Sequence, residues 1–123
     1  MTGSESSQQM SVLALSRMWR RRGWGVRAHE LLTTTLAQPA LQYSSEPVVI
    51  SQVAWIELEL ADLHRDRGEL RQADTLTLKA LARFEQVQDL GGQTVAALAL
   101  GEGSWQAGHF SQAQQWYNRA HSL

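Results

Sequence analysis

Cysteine is absent from this 123-residue chain, which excludes disulfides, thiolate metal sites and thiol nucleophiles together. Proline is nearly absent too: only Pro39 and Pro47 interrupt the backbone. Charge is almost balanced at −1, so no global field draws a polyanion or an anionic membrane. No apolar run is long enough to span a bilayer, because the best, "PVVISQVAWI", is broken by Ser51 and Gln52. The opening "MTGSESSQQM" has no basic segment feeding an apolar one, so no secretory signal is expected. These absences leave a soluble, cytoplasmic protein without membrane insertion as the expectation. A hydrophobic share of 43% is enough to bury one domain's core.

The apolar residues recur at helical intervals, and no strand-like alternation is bounded by turn pairs, so the expected class is all-α. Residues 1–8 read as a flexible tail, and 9–123 as one helical repeat domain. Helices are expected over about Met10 to Arg22, Trp24 to Ala37, Pro47 to Arg67, Leu70 to Gln88, Gln93 to Ala107 and Ser111 to Ser122. "QPALQYSSE" reads as the longest loop, Pro47 as the first helical turn behind a Ser45 or Glu46 cap, and "DLGG" as a break.

The segment "GELRQADTLTLKA", starting at Gly68, returns forty residues later as "GHFSQAQQWYNRA" from Gly108. Glycine and alanines keep their spacing while the rest drifts. Gly23 opens a third, weaker copy. Eight residues before each Gly stand Leu15, Leu60 and Leu100, and seven before stand Ser16, Ala61 and Gly101. Five after stand Ala28, Ala73 and Ala113; twelve after stand Thr35, Ala80 and Ala120. Small residues let two helices approach closely, and glycine suits the turn that joins them.

This frame resembles the tetratricopeptide repeat, a helix pair with Leu-small in its first helix, Gly at the turn, and small, bulky, small in its second. Leu32 and Tyr117 hold the bulky position; Thr77 departs from it. The resemblance, of the extended bacterial type, implies three helix-turn-helix repeats at about 9–38, 47–88 and 91–123. They would stack as a short right-handed α-solenoid.

Chemistry is scarce. The histidines His29, His64, His109 and His121 make no ligand pair at helical spacing, so no metal or cofactor is expected. "GWGVRA" and "GEGSWQAG" carry Gly-x-Gly without the strand or the Gly-Lys-Ser/Thr of a phosphate loop, and no nucleophile elbow occurs. The chain is read as a non-enzyme.

Charge is unevenly spread. Before residue 46, Arg17, Arg20, Arg21, Arg22 and Arg27 face only Glu5 and Glu30; residues 46–90 are acidic. In "RMWRRRGW", Arg17, Arg20 and Arg21 share a helical face. Beside Trp19 and Trp24 they could contact nucleic acid, a reading disfavoured by the acidic pI of about 6.4.

The family resemblance places the partner-binding groove on the first helix of each repeat. It implies Leu13, Arg17, Arg20 and Arg21, then Trp55, Leu58, Asp62, Arg65 and Asp66, then Leu98, Glu102, Trp105 and Gln106. Members that clamp a C-terminal carboxylate use Lys and Asn where Leu58 and Asp62 stand, so that specificity is not implied. Trp116 and Tyr117 on the last helix form a possible further contact or self-association surface. The expected function is a protein–protein interaction module, an adaptor or scaffold holding a partner's peptide or helix in the groove. The alternatives are a nucleic-acid-contacting or transcription-regulatory module using Arg17–Arg22, and a self-associating structural protein.

Overall fold

In the computed structural model the backbone is described over residues 2–123 and side chains over residues 11–123. The tail predicted for residues 1–8 therefore falls outside the fully described residues. The described residues form helices and no strand, in agreement with the all-α reading. The helices are α1 (Thr2–Arg21), α2 (Gly25–Leu36), α3 (Pro39–Gln42), α4 (Pro47–Asp66), α5 (Leu70–Gln86), α6 (Leu90–Gln106) and α7 (Phe110–Ser122).

Four helices end in the same way. Gly23, Gly68 and Gly108 adopt φ of +80°, +76° and +82°, a region closed to most side chains. At the first, Trp24 N donates to Trp19 O at 2.7 Å and Gly23 N to Arg20 O at 3.1 Å, which satisfies two carbonyls at the end of α1. The same pair of bonds closes α4 at Gly68 and α6 at Gly108. The fourth turn, after α5, is built on Gln88 at φ +57°, not on a glycine.

Gln88 corrects the reading of "DLGG" as a break. Helix α6 begins at Leu90, so Gly91 and Gly92 lie inside its first turn. Asp89 caps it, accepting from Gly92 N at 2.9 Å. Gly92 is small because the Phe84 ring rests on it: an added Cβ would stand 2.1 Å from Phe84 Cδ1. A second correction lies in the long loop, where Pro39 begins the short helix α3 after α2 has ended. Gln42 Nε2 donates to Leu36 O at 2.7 Å, and Leu41 is buried against Val49 and Val53. Pro47 opens α4, but no side chain caps it: Glu46 holds the cap position without a bond.

The helices pack in chain order. α1 contacts α2 and α4; α2 contacts α4; α4 contacts α5 and, more lightly, α6; α5 contacts α6; and α6 contacts α7. Helix α4 is central, which is why its burial extends beyond one face, from Val49, Ile56 and Leu63 to Ala54, Leu58, Glu57 and Glu59. The small residues aligned by the sequence are all buried: Ser16, Ala61 and Gly101, then Ala28, Ala73 and Ala113, then Thr35, Ala80 and Ala120. Leu60 and Leu100 are buried as well, while Leu15 is half-exposed. Two larger clusters make the core. One joins Leu13, Ala28 and Leu32 to Ile56, Leu60 and Leu63; the other joins Leu58, Leu81 and Phe84 to Ala96 and Leu100.

Candidate functional site

The groove expected on the first helices divides into two unlike halves. Between α1 and α4 it is a cleft lined by Arg17, Arg20, Arg21, Glu59, Asp62 and Asp66. Arg20 grips Asp66 with two bonds, Nε to Oδ2 at 2.7 Å and Nη2 to Oδ1 at 3.0 Å, and stands 3.8 Å from Asp62. Donating these hydrogen bonds to Asp66's carboxylate holds the Arg20 guanidinium even more firmly in its charged form. Arg17 Nε reaches Glu59 Oε1 at 3.4 Å, too long for a strong hydrogen bond. Arg65 Nη1 donates to Asp62 Oδ1 at 2.8 Å. The basic and acidic stretches of the sequence therefore meet each other across α1 and α4.

These contacts run between the C-terminal halves of both helices, so α1 and α4 are parallel. Ser51 Oγ donates to Asp89 Oδ2 at 3.1 Å, joining the starts of α4 and α6. The turns at Gly23, Gly68 and Gly108 consequently lie along one edge of the molecule.

Burial tunes the carboxylates. Glu57 and Glu59 are almost fully buried, and loss of solvation raises both above the ordinary carboxylate value despite Arg83 and Arg17 opposing it. Desolvation likewise raises Asp62 against the pull of Arg65 and Arg20, and raises Asp74. Glu57 is well partnered, by Arg83 Nε at 2.8 Å, whose Nη2 also donates to Gln42 Oε1. Glu59 Oε1 has no hydrogen-bond donor, and neither Nε nor Nη2 of Arg65 has an acceptor.

The α6 half of the groove is exposed and nearly uncharged. Leu98, Glu102, Trp105 and Gln106 are all exposed. Trp105 is 59% accessible and meets Phe110 edge to face at 4.7 Å between ring centroids. Phe110, itself 57% accessible, is a residue that sequence reasoning missed. Its signal was its place two residues past Gly108, where Leu70 and Gly25 stand in the other pairs.

Three expected groove residues are placed elsewhere, the first being Leu13, which is buried in the core with Leu32 and Ile56. Leu58 is buried among Ala80, Leu81, Phe84 and Leu100, because α6 covers it. Trp55 is half-buried, its ring edge to face with Phe84 at 5.0 Å. On α7, Trp116 packs on the core with Arg119 stacked over it at 5.4 Å, and Tyr117 lies against Gly101 while staying 37% exposed. Trp19 is half-buried beside the Leu13 cluster.

The structure also brings together two histidines that lie far apart in sequence. His29 and His64 meet edge to face at 5.4 Å, and His64 Nδ1 lies 3.1 Å from Glu69 Oε1. Burial holds His29 below the ordinary histidine value, with Arg67 adding to the effect. Among the described residues no group of three His, Asp or Glu side chains is placed to hold a metal ion. No helix there is long and apolar enough to cross a membrane. Comparison with protein-family models, curated proteins and solved structures found no match for this chain.

Proposed function

We propose that this chain is a short tetratricopeptide-like solenoid that binds a segment of another protein along its α4–α6 face. Three things support the solenoid reading. Each helix pair closes on a glycine turn, the aligned small residues are buried in every pair, and each pair packs on the next. The binding reading rests on one observation. Leu98, Trp105 and Phe110 remain exposed while the equivalent positions of the second pair, Leu58, Arg65 and Leu70, are buried or half-buried. Exposed aromatic side chains beside a rim of Glu102 and Gln106 have the composition of an interface centre. A partner helix or extended segment with apolar anchors fits this face, and the self-paired α1–α4 cleft serves as its charged border.

The test is selection of peptides from a displayed random library against the full chain and against a Trp105→Ala/Phe110→Ala variant. Peptides with apolar anchors should be enriched on the parent and lose at least about tenfold in affinity on the variant, as truncation of hot-spot aromatics costs. Equal enrichment on both, or none on either, would remove this face from the reading.

A further inference from the structure

The pairing of charges across the molecule leaves a pattern that the sequence hides. Arg17, Arg20, Arg65, Arg83 and Arg119 each reach a carboxylate. Among the described residues Arg21, Arg22, Arg27, Arg67 and Arg71 do not, and all five are exposed. They are not scattered. Arg21, Arg22 and Arg27 surround the Gly23 turn, and Arg67 and Arg71 flank the Gly68 turn, so all five stand on the one edge where the turns align.

Aromatic rings share that edge. Trp24 is 44% exposed at the first turn, with the guanidinium carbons of Arg22 and Arg27 at 5.8 Å and 5.5 Å from its ring centroid. Trp105 and Phe110 flank the third turn. Neighbouring helices lie about 10 Å apart, so the three turns make a row some ~20 Å long. Carboxylates near the row are engaged: Asp66 by Arg20 and Glu69 by His64. Glu30, on α2, is the unpaired one nearest to Arg27 in sequence.

We infer that this turn edge is a binding track for single-stranded nucleic acid, with Arg21, Arg22, Arg27, Arg67 and Arg71 on phosphates and Trp24 as a stacking surface for a base. Guanidinium forks pair phosphate oxygens two at a time, and the edge carries arginines with no lysine. Base stacking on an exposed indole is indifferent to sequence, so the track reads the backbone and not a motif. An acidic polypeptide would match the charges and leave the rings unused. An anionic membrane fits less well, because sinking Trp24 into hydrocarbon would carry the two stacked guanidiniums with it. The overall charge of −1 is met in part by acids engaged with other arginines, Glu57, Glu59, Asp62, Asp66 and Glu85, and in part by Glu46 and Asp89 at the opposite ends of α4 and α6.

The experiment is fluorescence anisotropy of labelled oligo(dT) with the full chain across a salt series. Phosphatidylserine vesicles and poly-glutamate serve as competitors. Log affinity should fall against log salt with a slope of roughly two to three and a half, about 0.7 for each of three to five phosphates neutralised. Arg22→Gln/Arg27→Gln should lower affinity and reduce the slope by about 1.4. Trp24→Leu should lower affinity about tenfold at an unchanged slope. Arg119→Gln, on another part of the surface, should change neither. Circular dichroism of each variant separates loss of binding from loss of fold. Absence of oligo(dT) binding at low salt overturns the inference. So does an equal effect of Arg119→Gln, or displacement of oligo(dT) by vesicles or poly-glutamate at lower concentration than by unlabelled oligo(dT).

Discussion

The two junctions between successive helix pairs each bury an apolar cluster, and they differ in what surrounds it. Where α4 meets α1, charge crosses the boundary: Arg20 on Asp66 and Asp62, and Arg17 beside Glu59. Where α6 meets α5 and α4, shape crosses it. Phe84 lies on Gly92, Asp74 approaches Gly103, and Ala96 and Leu100 pack on Ala54 and Leu58. A partly exposed ion pair contributes little and is screened by salt. A close-packed contact tolerates almost no added volume. The charged rim of the first junction should therefore respond to pH and salt while bearing substitution, and the glycine contacts of the second should do the reverse.

The largest effect is expected at Gly92. Phe84 is fully buried and in edge contact with Trp55, so its ring cannot swing away from an added methyl group. Gly92→Ala should cost about 3 kcal/mol, the upper range for overpacking, read as a fall in the urea midpoint at unchanged slope. Phe84→Leu on that background should recover part of the loss, although Phe84→Leu alone destabilises. A Gly92→Ala protein as stable as the parent would mean that the second junction is as yielding as the first.

How far the sequence announced these junctions follows from what each required. Turns that need a positive φ restrict residue type, so Gly23, Gly68 and Gly108 were legible. Gln88 was not, because a polar residue can take the same conformation at modest cost and the adjacent Gly91–Gly92 pair drew the break to itself. Small residues at the interhelical contacts were legible because close approach permits little else. Leu58 was misplaced since the same helical position is covered in the second pair and open in the third. The charge pairing was out of reach: Arg20 and Asp66 are 46 residues apart, and polarity along a chain does not say which faces meet. For the same reason the unpaired arginines at the turns could not be told from the paired ones.

A smaller effect, of opposite sign, is expected at the first junction. Glu59 is raised above the ordinary carboxylate value, so within that window the folded protein binds more protons than the unfolded chain. Its contribution to stability is then fully present below the ordinary value and is lost as pH rises through the raised one. Glu59→Gln removes a poorly compensated buried charge and lets the half-exposed Arg17 return to water. It should stabilise the fold by about 1 kcal/mol at neutral pH and have little effect in acid. His29, lowered by burial, runs the other way, losing stability as pH falls, so the parent-minus-variant difference is the quantity to measure. A parent more stable than the variant at neutral pH, with the difference vanishing towards acid, would show that Glu59 is held by Arg17 as an ordinary ion pair.

The smallest effect sets two neighbouring glycines against each other inside the second junction. Gly91 and Gly92 occupy the same helical turn and share the Asp89 cap. A Cβ on Gly91 meets only Asp89 Oδ1, at 3.6 Å, an ordinary contact that leaves the 2.9 Å capping bond in place. Its φ is not positive, so alanine introduces no backbone strain. It does reduce the freedom of the unfolded chain and favours the helix, which should raise stability by about 0.5–1 kcal/mol. One methyl group would thus stabilise at residue 91 and destabilise at residue 92. If both substitutions destabilised to a similar degree, the helix start would need two glycines for its backbone, and the Phe84 contact would not be what limits the junction.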